Sequence, residues 1–369
     1  MRILILGATG NIGTQTLKAL NKNQHLVGIS FFNNFKLAKS IIKKYHLKYF
    51  YSPNFIKENS VKDYDDLIKK TKPDLIVNAI SGFNGLKATI ASLNAKKNIA
   101  LANKESLVMA GKFIKTIAKK NNIKIYPIDS EHASVYETIK NYPDNSINQI
   151  IITCSGGRYY HTDIKELNKI KYQDAIKHPN WDMGNKISID SSTLINKCFE
   201  LVESYWLFNC KKVKALYHPQ SIVHSILEFK NNMYLSLWSR PNMLLTIQLA
   251  LSEFKNVEKA LIKPINFNNL NLEFQEIDCK KWKPIQWAYE IINDKNNNLG
   301  IIINVANEIA IEKFKNGDIK FNEIISYIQK MIQKYSKFKI KNINEIQSLI
   351  DLILCQEKII IKNNNHISK

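Results

Sequence analysis

The segment ILILGATGNIGTQTLKAL, residues 3–20, constrains the fold of this chain more than any other stretch. A short apolar run leads straight into glycines at 7, 10 and 13 and then into a helical pattern, the order of a strand, a tight turn and a helix. Glycine lets the backbone turn sharply and come close to a pyrophosphate, whose charge sits at the helix N-terminus. Alone, a glycine trio also suits a merely structural turn. Its setting favours the dinucleotide reading, because apolar runs at residues 26–29, 75–80, 99–102 and 123–128 alternate with helical patterns. Such alternation is the mark of a parallel sheet covered by helices on both faces. Residues 1–129 therefore read as an α/β, Rossmann-like cofactor domain. The second strand ends in GISFFNNFK, with no Asp or Glu to hold a free ribose 2′-hydroxyl, which favours NADPH over NADH.

At 369 residues the chain has room for two or three domains. Apolar runs at 149–154, 213–218, 222–229 and 233–238, with a long helix between the first and second, predict a central α+β catalytic domain over 130–270. After a linker at 271–281, four helical patterns over 282–369 predict a C-terminal helical bundle, and the lysine-rich tail past Ile361 is expected to fray.

The second chemical signal is PIDSEHAS, where Asp129 and Glu131 follow a strand of the first domain. Two close carboxylates repel unless a cation or proton lies between them, although solvated loop acids are as common as paired ones. A third acid tips the reading. In KISIDSSTLINKCFELVESYWLF a helix is expected from near Ser191, capped by Asp190 or Ser191. At 100° per residue from Asn196, Glu200 falls at about 40° and Glu203 at about −20°, giving one polar face in an apolar segment. Asp129, Glu131 and one of these acids would form a hard oxygen set suited to Mg²⁺ or Mn²⁺. Ser155 in TCSGGRYY, Ser191, Asn196 and Lys197 offer donors for a phosphate. The segment HPNWDMG, with His178, Trp181 and Met183, reads as a mobile lid.

The net charge of +21 suggests nucleic acid at first sight, but the basic residues are 50 Lys and only 3 Arg, spread among many Asn and Ile. Arg is the residue of forked phosphate recognition, so AT-rich codon drift accounts for the excess better than a nucleic-acid partner does. The positive field would still steer anionic small substrates. Five cysteines form no CxxC pair, no apolar run reaches membrane-spanning length, and the first strand starts within a few residues of Met1. These features predict a cytoplasmic protein with no membrane partner.

LGATGNIGTQTL, LANKESLVMAG, PIDSEHAS, HPNWDMG, KISIDSSTLINKCFELVESYWLF, HPQSIVHS and NVANEIA, in this order, resemble the 1-deoxy-D-xylulose 5-phosphate reductoisomerase family over essentially the whole chain. The resemblance implies a homodimer that converts this phosphorylated sugar to 2-C-methyl-D-erythritol 4-phosphate, the committed step of the non-mevalonate route to isoprenoids. It implies NADPH and a divalent cation, Mg²⁺ or Mn²⁺ with Co²⁺ as a further option. By matching motif position it implies metal ligation by Asp129, Glu131 and Glu200, and catalytic parts for Lys104 and His178 beside them. Substrate contacts would come from Lys104, Ser130, Glu131, Ser155, His178, Trp181, Ser191, Asn196, Lys197 and Glu200. Cofactor contacts would come from Thr9, Gly10, Asn11, Ile12, Asn34, Asn103, Glu105 and Gly184, while His224 would support the site from behind. The chain departs from the family pattern at Asn33, Arg158, Asp182 and Cys198, none of them an implied metal ligand. Two other readings were weighed on the residues. A semialdehyde dehydrogenase would need Cys154 as nucleophile and has no use for three acids, and a non-catalytic Rossmann-like binder leaves those acids unexplained.

Overall fold

The computed structural model describes every residue except 56–59, 144–145, 164, 178–180, 182, 256, 258 and 358–369. The lid residues His178 and Asp182 and the tail expected to fray thus lie outside the described residues.

The opening half is built from β1 (Arg2–Leu6), α1 (Asn11–Ala19), β2 (His25–Ser30), α2 (Phe35–Lys44), β3 (Phe50–Tyr51), α3 (Tyr64–Thr71), β4 (Leu75–Asn78), α4 (Gly85–Asn94), β5 (Asn98–Leu101), α5 (Lys104–Lys120) and β6 (Ile125–Pro127). The strands pair in parallel in the order β3-β2-β1-β4-β5-β6. Period-two geometry sends Ile3 and Ile5 to one face and Leu4 and Leu6 to the other, where each pair joins a separate apolar cluster. All four are fully buried, each contributing about 1.5–3 kcal/mol on burial. The strand order reverses between β1 and β4, and in open parallel sheets ligands bind at the carboxyl ends of the strands beside that reversal.

α6 (Ser130–Ile139) leads to a second, mixed sheet made of β7 (Ile147–Cys154), β8 (Val213–Tyr217), β9 (Val223–Phe229), β10 (Tyr234–Trp238) and β11 (Gln275–Glu276), in the order β10-β9-β7-β8-β11. β7 and β8 run parallel, so a crossover is required; it carries α7 (Tyr172–Ala175), α8 (Asn185–Ser192) and α9 (Ile195–Phe208). α10 (Met243–Leu251) then returns to the first sheet, where Ile247, Ala250 and Leu251 enter its core. α11 (Lys283–Ile292), α12 (Leu299–Asn316), α13 (Glu323–Tyr335) and α14 (Ile343–Gln356) complete the described chain. They share one apolar core with α5, α9 and β7.

One boundary differs from the sequence expectation. The helix carrying Glu200 starts at Ile195, not near Ser191, and neither Asp190 nor Ser191 caps it. Both belong to α8, which ends where the Thr193 hydroxyl bonds back to the carbonyl oxygens of Ile189 and Asp190. Leu194 bridges the two helices in the left-handed region at φ 60°, buried despite the strain.

Gly7 takes φ +86°, and a Cβ there would lie 2.8 Å from Ala79 O. A Cβ on Gly13 would strike Gly7 O and the Ala8 backbone. Gly13→Ala is therefore expected to destabilise the fold by about 1–3 kcal/mol through overpacking. Urea unfolding of the variant checks this, and unchanged stability would mean that α1 can slide away from β1.

Candidate active site

Three βα junctions of the first sheet deliver functional groups to one place, because each helix begins at a strand's carboxyl end. After β5, Asn103 caps α5 by accepting from the Ser106 N–H at 3.1 Å, which puts Lys104 in the first turn. After β6, Asp129 caps α6 by accepting from the Glu131 N–H at 3.2 Å. After β1, Asn11 and Ile12 open α1. From the second half, α9 brings Asn196, Lys197 and Glu200, the end of β7 brings Ser155, and α8 brings Ser191.

These elements enclose a pocket of about 150 Å³, room for a small metabolite. It is lined by Asn11, Ile12, Lys104, Asp129, Ser130, Glu131, Ser155, Trp181, Gly184, Ser191, Asn196, Lys197 and Glu200 among others. Thus thirteen of the residues implied from sequence meet in one cavity. Thr9 and Gly10 lie in the glycine turn beside it. Asn34 is exposed and caps α2, accepting from Leu37 N–H at 3.1 Å, while Asn103 and Glu105 are buried at the start of α5. His178 lies outside the described residues. His224, expected to support the site from behind, is among the residues that line the pocket. Its ring meets that of Trp181 at 6.1 Å and its Nε2 is 3.0 Å from Ser239 Oγ. Burial pushes the His224 imidazolium down to about 4, so the ring is neutral near pH 7.

The floor of the pocket is a buried charge network. Lys104 Nζ donates to Asp129 Oδ2 at 2.6 Å, Glu200 Oε1 at 2.8 Å and Asn196 Oδ1 at 2.9 Å. Burial alone would lower its pKa, but Asp129, Glu200 and Glu203 hold it well above the ordinary lysine range. Lys197 Nζ donates to Glu131 Oε1 at 3.0 Å and to the Thr153 carbonyl, and it also pairs with Glu200. This ammonium therefore neutralises carboxylates in the present arrangement. Asn196 Nδ2 donates to Glu200 Oε1 at 2.5 Å, and Ser130 Oγ donates to Glu131 Oε2 at 2.5 Å.

Sequence reasoning passed over His132, one helical turn from Asp129 on α6, and had Glu203 only as an alternative to Glu200 for the third acid. His132 Nδ1 lies 2.9 Å from Asp129 Oδ1 and 3.4 Å from Glu203 Oε2; its Nε2 lies 2.9 Å from both Glu200 O and Ser204 Oγ. Acceptors at both nitrogens favour the doubly protonated ring. Although burial opposes the charge, Glu203 and Asp129 raise its pKa to about 9. The spacing of Asp129 and His132 at i and i+3 was the available signal. Ser221 and Met243, also on the wall, gave none.

Asp129, Glu131 and Glu200 place carboxylate oxygens within 4.8 Å of one another. Asp129 is held well below the usual carboxylate range because Lys104 and His132 outweigh its burial. Glu131 is pushed up to about 7, chiefly by burial, with Lys197 opposing and Glu200 and Asp129 adding. A buried, acid-rich set of hard oxygens fits Mg²⁺ or Mn²⁺, and the ion would hold these carboxylates apart from protons. Asp129, His132 and Glu203 also cluster, but both ring nitrogens there are engaged as donors.

A parallel sheet with a glycine-rich first turn, opening onto buried carboxylates, lysines and hydroxyls, defines a nucleotide-dependent, metal-assisted enzyme of small anionic substrates. Comparison with known proteins narrows this class. Profiles described as 1-deoxy-D-xylulose 5-phosphate reductoisomerase, its C-terminal domain, and DXP reductoisomerase C-terminal domain match residues 3–111, 125–208 and 238–353. The 1-deoxy-D-xylulose 5-phosphate reductoisomerase of Malacoplasma penetrans is 46% identical over 349 residues, covering 94% of this chain and 92% of its own. The Zymomonas mobilis enzyme solved with NADPH superposes with a TM-score of 0.86 at 28% identity, covering 96% and 97% of the two chains. A DOX-P reductoisomerase solved with NADPH, fosmidomycin and magnesium gives 0.87 at 29% identity, covering 97% of each. The chain belongs to the 1-deoxy-D-xylulose 5-phosphate reductoisomerase family and is an NADPH- and divalent-metal-dependent oxidoreductase.

A metal ion held by Glu131 would need its carboxylate ionised, so binding there would expel a proton below about pH 7. Mg²⁺ affinity measured by titration calorimetry is therefore expected to tighten as pH rises from 6 to 8, with protons released at pH 6. A pH-independent affinity would place that proton elsewhere.

Proposed function

We propose that this pocket converts 1-deoxy-D-xylulose 5-phosphate to 2-C-methyl-D-erythritol 4-phosphate, with Asp129, Glu131 and Glu200 as the metal ligands. The observation that carries the assignment is the convergence of these three carboxylates with Lys104 beside the cofactor crevice. A bound Mg²⁺, Mn²⁺ or Co²⁺ would polarise the substrate's carbonyl for skeletal rearrangement, and NADPH would then supply hydride to the aldehyde.

The chain's own residues bind, orient and hold charge. Lys104, already donating to three acceptors, stays protonated and acts as a fixed positive charge rather than as a base. Ser155, Ser191, Asn196 and Lys197 supply hydroxyl, amide and ammonium donors for the substrate phosphate, so that binding at the unreactive end orients the reacting end. Ser130 fixes the Glu131 carboxylate, and His178 joins the substrate contacts. Trp181, half-buried on the pocket wall against His224, covers the carbon skeleton and excludes water. Thr9, Gly10, Asn11, Ile12, Asn34, Asn103, Glu105 and Gly184 serve the cofactor. The working division is a cofactor domain over 1–129, a catalytic domain over 130–270, a connecting segment at 271–281, expected as a linker, that adds β11 to the second sheet, and a helical domain over 282–369.

A homodimer is the assembly we propose. β10 is an edge strand of the second sheet, and Met233, Tyr234 and Trp238 along it are exposed, a surface suited to a second copy. We further propose a cytoplasmic enzyme without a membrane partner; among the described residues no helix is long and apolar enough to cross a membrane, and the five cysteines are unpaired. The three arginines leave nucleic acid without the forked donors it is read by.

Glu200→Gln is expected to lower turnover more than about 100-fold with the fold retained by circular dichroism. Chelation of divalent ions should abolish NADPH oxidation by wild type in the presence of 1-deoxy-D-xylulose 5-phosphate, and activity that persists without metal would overturn the ligand assignment. NADPH should also exceed NADH in kcat/KM, because β2 ends without an acid. Equal use of the two would show that the 2′-phosphate is not read.

A further inference from the structure

The NVANEIA segment, at residues 304–310 on α12, has no part in the pocket, yet it reaches the cofactor side of the molecule. The turn after β4 stands at the carboxyl end of the sheet next to the glycine turn, since a Cβ on Gly7 would touch Ala79 O. Two N–H groups and one carbonyl in its tip bond to side chains from outside the turn. Gly82 N–H donates to Glu105 Oε1 at 3.1 Å, Gly82 O accepts from Asn103 Nδ2 at 2.8 Å, and Phe83 N–H donates to Glu308 Oε1 at 2.8 Å. The Glu308 carboxylate also lies flat against Gly82, which adopts φ +74°; a Cβ there would be 2.6 Å from Glu308 Oε1.

The same carboxylate sits in a second ionic cluster, separate from the metal-binding acids. Lys186, in the first turn of α8, donates to Asp190 Oδ2 at 2.6 Å and Glu105 Oε1 at 3.2 Å, with Glu308 also in its field. Asn307, beside Glu308, donates to Asp190 Oδ1 at 2.7 Å. One ammonium thus pairs with acids from α5 and α8 and lies in the field of a third on α12. Burial pushes Glu308 up to about 7, with Lys186 opposing and Glu105 adding. α8 also carries Ser191 into the pocket, so the cluster ties the cofactor-side turn to a substrate-side helix.

We propose that Glu308 is a positioning residue of the reaction: from the C-terminal helix it fixes the Gly82–Phe83 turn that walls the NADPH crevice. It touches neither substrate nor cofactor, and it acts through the Phe83 N–H. The inference rests on the NADPH-dependent reading of the pocket.

The test compares wild type, Glu308→Ala and Glu308→Gln, using NADPH fluorescence for binding, steady-state kinetics and thermal unfolding. Losing a charge-assisted bond to a backbone N–H is expected to weaken NADPH binding by about tenfold or more in Glu308→Ala. KM for NADPH should rise accordingly while KM for the sugar phosphate changes less than about twofold. The Glu308→Gln carbonyl can still accept from Phe83 N–H, so that variant should bind NADPH within about threefold of wild type. Wild-type affinity in Glu308→Ala would overturn the inference and leave the family activity intact. Equal weakening in both variants alongside a shared fall in Tm would assign Glu308 a purely structural part and also overturn it. Failure of wild type itself to bind NADPH would instead defeat the functional reading on which the inference stands.

Discussion

The structure depends on a buried ionic constraint: Asp129, Glu131, Glu200 and Glu203 face Lys104, Lys197 and His132 across the pocket floor. Removing one partner from a buried ion pair typically costs about 3–5 kcal/mol, because the remaining charge has no water to turn to. The elements that carry these groups cannot drift independently. α5, α6 and α9 are therefore fixed relative to one another by charge as well as by apolar contact, and a change in any one of them is felt at the acids. With four acids against three cations, the network is short of positive charge, the condition under which a divalent ion is welcome. Burial of Glu131 expresses the same shortage as a raised pKa.

Sheet topology explains why the groups meet. Parallel strands all end at one rim, and each following helix starts there with its N-terminus and cap. Asn103 and Asp129 are caps, and Lys104 and Glu131 in the turns they open line the pocket. Capping therefore does two things at once, satisfying the first helical N–H groups and aiming the next side chains into the crevice. Asp129 goes further, serving as cap, as partner of Lys104 and His132, and as one of three clustered carboxylates.

Much of this was legible in the sequence because it is local. The strands of the first sheet show as apolar runs, and only β3, two residues long, leaves too short a pattern to see. The polar face of Asn196, Glu200 and Glu203 follows from helical spacing alone. What stayed hidden is tertiary. The break at Leu194 depends on Thr193 bonding backwards, and the return of α10 to the first sheet depends on the apolar surface awaiting it. Besides Glu200 one turn on, the partners of Lys197 are the Thr153 carbonyl on β7 and Glu131 on α6, far from it in sequence, so those pairings could not be read from the motif. His132 was missed for a related reason: a histidine next to two acids looks like any polar helix start until Glu200 O and Glu203 are brought against it.

The C-terminal helices bear on the chemistry through α5. That helix is buried along its first half, residues 104–111, and packs between α9 and α12. Two glycines allow the approach: a Cβ at Gly111 would strike the Trp206 ring on α9, and a Cβ at Gly300 would strike Val108 O from α12. Helices that close to within backbone contact have little freedom to slide, since close-packed interiors transmit displacement rather than absorb it. Lys104 is at one end of α5 and Glu200 is on α9, so their 2.8 Å separation is set by helix packing, not by the reach of a loop. A buried pocket carboxylate and the cation beside it are thereby held in register by helices that pack against the C-terminal segment, which gives that segment a reason to share the core beneath the pocket.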